Sequence, residues 1–305
     1  MPNKNAFTGE KTGIIGIGLA GIAISETLLK AGYKLAGYDI RKERMELFAG
    51  MGGIAAQSSR DVAADCPRII LSLFDTKTVK EVIFGEAGLL TSPSKPRCII
   101  DTTTGDPEET REIAEDLASR GIAYMDATLS GSSEQIRNRQ AVFMVGGDEK
   151  AFSSCRDIFD AAAEKTFYLG APGNGSKAKL ASNLVLGLNR LVLAEGLHFA
   201  GILGLDIREF LPLLKATPAY SVAMDVKGEK MINDDYSPQS KVAQHYKDLL
   251  MIQHYAHMEK ENLPLADIHE KILKDLIDEG KGDLDSSSVF RYLKTRKAAA
   301  PAGHS

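Results

Sequence analysis

The sequence is short of the features that narrow a protein's class at a glance. It has only three cysteines, Cys66, Cys98 and Cys155, far apart and with no CxxC pair. That spacing excludes a disulfide framework and a cysteine zinc site, and it suits reduced thiols in the cytoplasm. It has no basic excess: 37 Lys and Arg against 41 Asp and Glu leave a formal charge of -4, so nucleic acid is not an expected partner. No apolar run marks a signal peptide, and the polar opening MPNKNAFTGEKTG reads as a short unfolded leader. The most apolar run, about residues 180–205, is broken by Asn183, Asn189, Arg190, Glu195 and His198. Those groups are costly in lipid, so the run reads as a buried helix of a soluble protein, with no membrane partner. Internal repeats and low-complexity segments are missing too. The closing KAAAPAGHS has nothing to pack and reads as frayed.

What is present points to two domains, because 305 residues exceed one core of ordinary size. A hydrophobic share of 44% and a charged share of 26% are ordinary for a globular chain. The first half alternates β-rich runs, at 13–17, 34–38, 68–73, 97–101, 122–126 and 142–145, with amphipathic stretches such as 22–31, 77–84 and 108–120. Such alternation predicts βαβ units and a mainly parallel sheet. Continuous apolar strands such as IILSL fit a sheet covered on both faces. After Tyr168 the β signal stops. The Gly/Pro-dense loop Gly170 to Ser176 opens a long helical pattern, punctuated by Pro212, Pro218, Pro238 and Pro264. The expected fold is therefore α/β: an N-terminal doubly wound sheet over 1–170, then an all-α domain over 171–305.

The run Gly13-Ile14-Ile15-Gly16-Ile17-Gly18-Leu19-Ala20-Gly21 places GxGxxG after a strand and at the head of a helix. Gly16 permits the tight turn, Gly18 lets backbone approach a pyrophosphate, and Gly21 allows close helix–strand packing. The helix start, with Leu19 and Ala20, offers unsatisfied N–H groups to the anion. An acid follows about 20 residues on, at Asp39, as the Rossmann fingerprint requires. Asp39 can accept from the adenosine ribose hydroxyls and would repel a 2′-phosphate, which favours NAD. Arg41, Lys42 and Arg44 close by keep NADP as the alternative.

Three later segments carry the chemistry: Asp126-Ala127-Thr128-Leu129-Ser130-Gly131, Gly173-Asn174-Gly175-Ser176-Lys177-Ala178-Lys179-Leu180-Ala181-Ser182-Asn183, and Lys247-Asp248-Leu249. With the N-terminal glycines they resemble the β-hydroxyacid dehydrogenases, the group of 3-hydroxyisobutyrate, tartronate-semialdehyde and 6-phosphogluconate enzymes. The resemblance covers nearly the whole chain and keeps the family's order and approximate spacing. It implies an NAD(P)-dependent oxidoreductase that moves hydride between the nicotinamide and a small 3-hydroxy (or 2-hydroxy-3-oxo) carboxylic acid. Lys179 matches the family's catalytic lysine, and Asn183 its asparagine. Phe74-Asp75 and Thr103-Thr104, at the ends of successive strands, are expected to face the cofactor crevice, and Thr104 looks like the family's nicotinamide-side contact. Lys247 matches the late lysine that serves both cofactor and substrate.

The residues themselves agree with that assignment. Lys179 and Asn183 are four apart and share a helix face. A lysine at the head of an apolar helix is partly desolvated, which lowers its pKa and provides neutral amine to take a hydroxyl proton. Lys177, two residues away, falls on another face and reads as solvent-facing. Ser130, Gly131 and Ser132 can cradle a substrate carboxylate with hydroxyls and backbone N–H groups. The family usually has serine-glycine-glycine at this loop. Here Ser132-Ser133 and then Ile136-Arg137-Asn138-Arg139-Gln140 follow, so Arg137 or Arg139 either binds a second anion or lies exposed on a covering helix. His245, His254 and His257 lack a third ligand at matching spacing, and no metal is expected. Two alternatives stand beside the leading reading: an imine reductase on the same fold, and a non-catalytic NAD(P)-binding interaction protein. A homodimer or homotetramer is expected, because few loops remain to cover the apolar faces of the helical half.

Overall fold

In the computed structural model, which describes residues 10–296, a row of short buried strands organises the first half of the chain. The closing segment expected to be frayed lies outside the described residues, as do the first nine residues of the expected leader. Thr12 and Gly13, its last part, already belong to β1.

The chain divides into two units, Met1–Lys179 and Leu180–Ser305. The first carries an eight-stranded sheet in the order β3-β2-β1-β4-β5-β6-β7-β8. Its strands are β1 (Thr12–Ile15), β2 (Leu35–Tyr38), β3 (Ile54–Ala55), β4 (Arg68–Leu71), β5 (Cys98–Asp101), β6 (Ala123–Ser130), β7 (Val142–Gly147) and β8 (Lys165–Tyr168). All pairs are parallel except β6 with β7. Alternate residues of the central strands enter two different cores. Ile14, Ile70, Ile100 and Met125 pack in one, and Ile15, Ile69, Leu71, Ile99 and Tyr124 in the other. A strand that serves both cores must be apolar throughout, which is why these runs show no alternation. The doubly wound Rossmann-type sheet expected from the sequence is what the structure shows.

The covering helices are α1 (Leu19–Lys30), α2 (Lys42–Gly50), α3 (Ser59–Asp65), α4 (Thr76–Phe84), α5 (Pro107–Ser119), α6 (Ser133–Arg137), α7 (Glu149–Ser154) and α8 (Arg156–Ala162). Several start on side-chain caps: Ser58 accepts from Asp61 N, and Asp106 from Glu108 N and Glu109 N. Such caps satisfy the orphan donors of a first turn, each contributing about 1 kcal/mol.

α9 (Asn174–Ile202) begins in the first unit and runs into the second, which is all helical as expected. There follow α10 (Ile207–Lys215), α11 (Val222–Ile232), α12 (Val242–Met258), α13 (Pro264–Asp278) and α14 (Val289–Thr295). Leu191, Leu197, Met231, Leu249, Leu273 and Phe290 form the core of this unit. Asp285 ties its loops, bonding Lys227 Nζ at 2.9 Å and accepting from the N–H groups of Gln239, Ser240 and Ser287. The expectation of a buried apolar helix holds for one side of α9 only. Val185, Val192 and Phe199, at seven-residue spacing, are 58%, 66% and 58% exposed.

Candidate active site

The glycine turn lies where β1 leads into α1. Gly16 has φ +87, and a Cβ there would lie 2.2 Å from the Ser72 carbonyl oxygen. A Cβ on Gly21 would lie 2.0 Å from the Gly16 carbonyl oxygen, so neither position tolerates a side chain. Gly18 differs. The nearest atom to its would-be Cβ is the Arg41 guanidinium, 3.8 Å away. α1 starts at that open ground without a side-chain cap and without an acid in its first turn. An open cradle at a helix N-terminus, with a cation beside it, fits the pyrophosphate of a dinucleotide. Leu19 forms an exposed part of the rim, and Ala20 a half-buried part.

Asp39, one residue beyond β2, is buried and fully engaged. Its Oδ2 accepts from Ile17 N at 2.7 Å and from the Arg41 guanidinium at 3.1 Å. Its Oδ1 accepts from Arg41 N at 2.9 Å and Arg41 Nε at 3.0 Å. Burial alone would raise this carboxyl. The Arg41 side chain, its N–H and the Ile17 N–H outweigh burial and hold it below the usual carboxylate range. A carboxylate has about four acceptor positions, and here each is taken. Two of the four are taken by the Arg41 side chain and two by backbone N–H groups.

The next two strand ends are laced together. Thr103 Oγ1 accepts from Leu73 N at 3.1 Å, and Asp101 Oδ1 accepts from Thr103 N at 2.9 Å. Burial pushes the Asp101 carboxyl up to about 6, against the pull of its hydrogen bonds from Thr103 and Tyr124. This lacing fixes Phe74 and Thr104, the residues that follow each tie; Phe74 is 60% exposed and Thr104 half-buried. Asp75 caps α4, accepting from Thr78 N at 2.8 Å and Thr78 Oγ1 at 2.6 Å.

β6 delivers three groups on one face: Asp126, Thr128 and Ser130, spaced two apart. Asp126 Oδ1 accepts from Gly173 N at 2.9 Å, and Oδ2 from Ser176 N at 2.7 Å. Thr128 Oγ1 donates to Gly175 O at 2.9 Å. Both residues thus hold the head of α9, and Ser130 comes next along the same face. The loop that feeds α9 has its glycines for steric reasons. Gly173 has φ +88, and a Cβ on Gly175 would lie 2.5 Å from Asp126 O and 2.6 Å from Met144 O. One turn into the helix Lys179 is half-buried, while Lys177 is exposed. Ser132 is an N-cap: its hydroxyl accepts from Gln135 N at 3.2 Å, and its N–H donates to Gln135 Oε1 at 2.8 Å. Its N–H is committed to the cap of α6, while its hydroxyl, which only accepts there, keeps its own proton to donate beside Ser130 and Gly131. Arg137 forms a two-point pair with Glu26 of α1, and Arg139 donates to Asp160 O at 2.7 Å. Both arginines are tied to neighbouring helices.

In the second unit Asn183 is buried, and its Nδ2 donates to Asp248 Oδ2 at 2.8 Å. Lys247 is half-buried, with its Nζ 3.7 Å from Asp248 Oδ1. Arg190 is buried below them on α9; desolvation lowers its guanidinium to about 10 against the support of Asp285 and Asp248. The His245 and His269 rings lie 5.0 Å apart, tilted at 47°, beside Gly187, where a Cβ would lie 2.1 Å from His245 Nε2. Among the described residues no three His, Cys, Asp or Glu side chains are grouped to hold a metal.

Residues 11–170 match the family model described as the NAD binding domain of 6-phosphogluconate dehydrogenase. Residues 173–293 match the one described as the NAD-binding of NADP-dependent 3-hydroxyisobutyrate dehydrogenase. The chain belongs to the β-hydroxyacid dehydrogenase family. It is similar to 2-hydroxy-3-oxopropionate reductase of Escherichia coli (strain K12), with 30% identity over 284 residues, 93% of this chain and 97% of that protein. It is 26% identical to the cytokine-like nuclear factor N-PAC of Xenopus tropicalis over 284 residues, and there it spans 53% of the longer protein. The crystal structure of 3-hydroxyisobutyrate dehydrogenase from Salmonella typhimurium shares the fold, with a TM-score of 0.85 at 24% identity, over 93% of this chain and 99% of that one. This family member is accordingly an NAD(P)-dependent oxidoreductase of the hydroxyacid CH–OH class.

Two residues of this dehydrogenase carry more of the site than their sequence context announces. Asp126 opens the Asp-Ala-Thr-Leu-Ser-Gly run, yet it faces the head of α9 and not the loop. The period-2 spacing of Asp126, Thr128 and Ser130 was the available signal. From the sequence Arg41 serves to keep NADP open; the structure adds its two-point pair with the Asp39 carboxylate.

Proposed function

We propose that this dehydrogenase interconverts a small 3-hydroxy (or 2-hydroxy-3-oxo) carboxylate and its carbonyl partner, with Lys179 as general acid–base and NAD as the favoured cofactor. The observation that carries this reading is the face of β6. Asp126 and Thr128 clamp the first turn of α9, which places the half-buried Lys179 one turn on, and Ser130 follows on that same strand face.

The bound nicotinamide supplies the acceptor or donor of hydride. The chain's own residues do the rest. Ser130 and Gly131 hold the carboxylate by hydroxyl and backbone N–H, and that fixes which carbon is presented. Lys179, as the neutral amine, takes the hydroxyl proton during oxidation; as the ammonium it returns the proton to the forming alkoxide during reduction. Asn183, one turn further on the same helix face, orients the substrate oxygen or the lysine. Its Nδ2 is committed to Asp248, which leaves Oδ1 and one N–H for that role. Phe74 and Thr104 are assigned to the cofactor, and Lys247 to cofactor or substrate. Ser132 supports the loop through its cap, and Asp75 supports Phe74 through the α4 cap.

The test is a panel assay: cofactor reduction with small 3-hydroxyacids, against cofactor oxidation with cyclic imines. Turnover of the hydroxyacids supports the reading, and turnover of imines alone replaces it with the imine reductase. The exposed stripe Val185, Val192 and Phe199 supports assembly of the enzyme as a homo-oligomer, since burying such side chains contributes about 1.5–3 kcal/mol each. Val192→Glu should shift the species seen by light scattering toward monomer; an unchanged mass would remove α9 from the interface. The three buried free cysteines suit a cytoplasmic setting.

A further inference from the structure

We propose that Asp126 is a positioning residue for the reaction: it fixes the first turn of α9, and through that turn sets where Lys179 stands. This rests on the assignment of Lys179 above and adds to it a residue that touches neither substrate nor cofactor.

Asp126 is 1% exposed in the middle of β6. A carboxylate so deep in a sheet is costly unless each oxygen is bonded. Here each oxygen accepts one backbone N–H, and the two donors, Gly173 and Ser176, bracket the start of α9. The negative charge therefore sits at the positive end of a 29-residue helix. Burial still raises this carboxyl above its usual range against the pull of those N–H groups.

The surroundings leave the first turn no freedom. A Cβ on Gly146 would lie 2.7 Å from Asp126 Oδ1, and one on Gly175 would lie 2.9 Å from Oδ2. A Cβ on Gly173 would lie 2.7 Å from Pro107 O. Three glycines thus clear the space in which one carboxylate meets one helix end. Ser176, which donates to Asp126, and Lys179 are at i and i+3, on one side of the helix. A loosened tether at Ser176 moves Lys179 directly, and a displacement of about 1 Å at a reacting group can lower a rate about a hundredfold. The strand therefore separates two tasks: Asp126 and Thr128 locate the helix, and Ser130 serves the loop.

A double-mutant cycle tests this on the full-length enzyme. Asp126→Asn keeps the side chain's shape but sets an amide N–H against a backbone N–H. It should lower kcat about 30-fold in the wild-type background and less than twofold in Lys179→Ala, with the Kd for NAD changed by no more than twofold in either. Where Asp126→Asn does not fold, Asp126→Glu, which keeps the charge and displaces it by one methylene, is read in the same cycle with the same expectation. Equal losses in both backgrounds would show a structural role that does not act through Lys179. A parallel loss of NAD affinity would assign Asp126 to the cofactor turn, and an unchanged kcat would end the proposal. Should Lys179→Ala itself cost less than tenfold in kcat, it is the assignment of Lys179 that fails.

Discussion

Replacing Gly18 and Gly21 separately by alanine should divide nucleotide binding from stability. Gly21 lies inside α1, and its Cβ would sit 2.0 Å from the Gly16 carbonyl oxygen, a contact with backbone that cannot rotate away. Overpacking of this kind costs about 1–3 kcal/mol or more, and the better helix propensity of alanine returns at most about 1 kcal/mol. At about 2–4 °C per kcal/mol for a unit of this size, Gly21→Ala should lower the Tm of the ligand-free protein by several degrees. Gly18 has φ -72, which alanine accepts, and its would-be methyl meets only the Arg41 guanidinium at 3.8 Å. Alanine is a poorer N-cap than glycine by a fraction of a kcal/mol to about 1 kcal/mol, and it restricts the unfolded chain by a similar amount, so Tm should stay within about 2 °C. The methyl would instead occupy the ground that the pyrophosphate needs. Losing one charge-assisted hydrogen bond, worth about 1.5–3 kcal/mol, weakens NAD about 10- to 150-fold. Differential scanning fluorimetry without ligand and calorimetric titration with NAD measure the two effects. A Gly18→Ala protein that binds NAD normally, or a Gly21→Ala protein with wild-type Tm, would refute this account of the turn.

Arg41→Ala should free two acceptor positions on Asp39 while removing the cation beside Gly18, so it should weaken NADP at least several-fold more than NAD; equal changes for the two cofactors would mean that Arg41 does not discriminate between them. Asp39→Ala should weaken NAD more than NADP, read by the same titrations. Burial, assisted by Arg190, lowers His269 to about 4 from its ordinary 6.5, so the folded state refuses a proton that the unfolded chain accepts. Stability contributed by neutral His269 is then complete above pH 6.5 and is lost as pH falls toward 4, by about 2–3 kcal/mol at pH 4.5. Urea melts of wild type and His269→Gln at pH 7 and pH 4.5 should show their stability difference shifting by that amount in favour of the variant at low pH; a constant difference would contradict a neutral buried imidazole.

The nucleotide half was legible because local chemistry and global fold make the same demand there. Gly16 needs its positive φ and Gly21 must clear the Gly16 carbonyl, demands set within the turn itself, and strands covered on both faces must be apolar throughout. The second side of α9 was not legible: residues 185, 192 and 199 are as apolar as the positions that face the core, and composition cannot say which stripe meets a partner. The cap at Ser132 carries its own signal, since Ser-x-x-Gln at 132–135 is a capping-box pattern. Capping and a part in the carboxylate cradle are compatible for Ser132, because the cap uses its hydroxyl only as an acceptor. β3 is two residues long, too short for periodicity to register, and β8, with Lys165 and Phe167 exposed, lacks the continuous apolar run of the central strands. The engagement of Asp39 by Ile17 N, and of Asp126 by Gly173 and Ser176, joins residues 22, 47 and 50 apart, and only the tertiary fold brings them together.

The most direct test of the central claim is the kcat of Lys179→Ala with the best hydroxyacid from the panel, measured beside its Kd for NAD. A fall of at least a hundredfold in kcat with NAD affinity intact is expected for loss of the proton-transfer group. Turnover at the wild-type rate would place the general acid–base elsewhere and leave Lys179 a helix residue with no part in the chemistry.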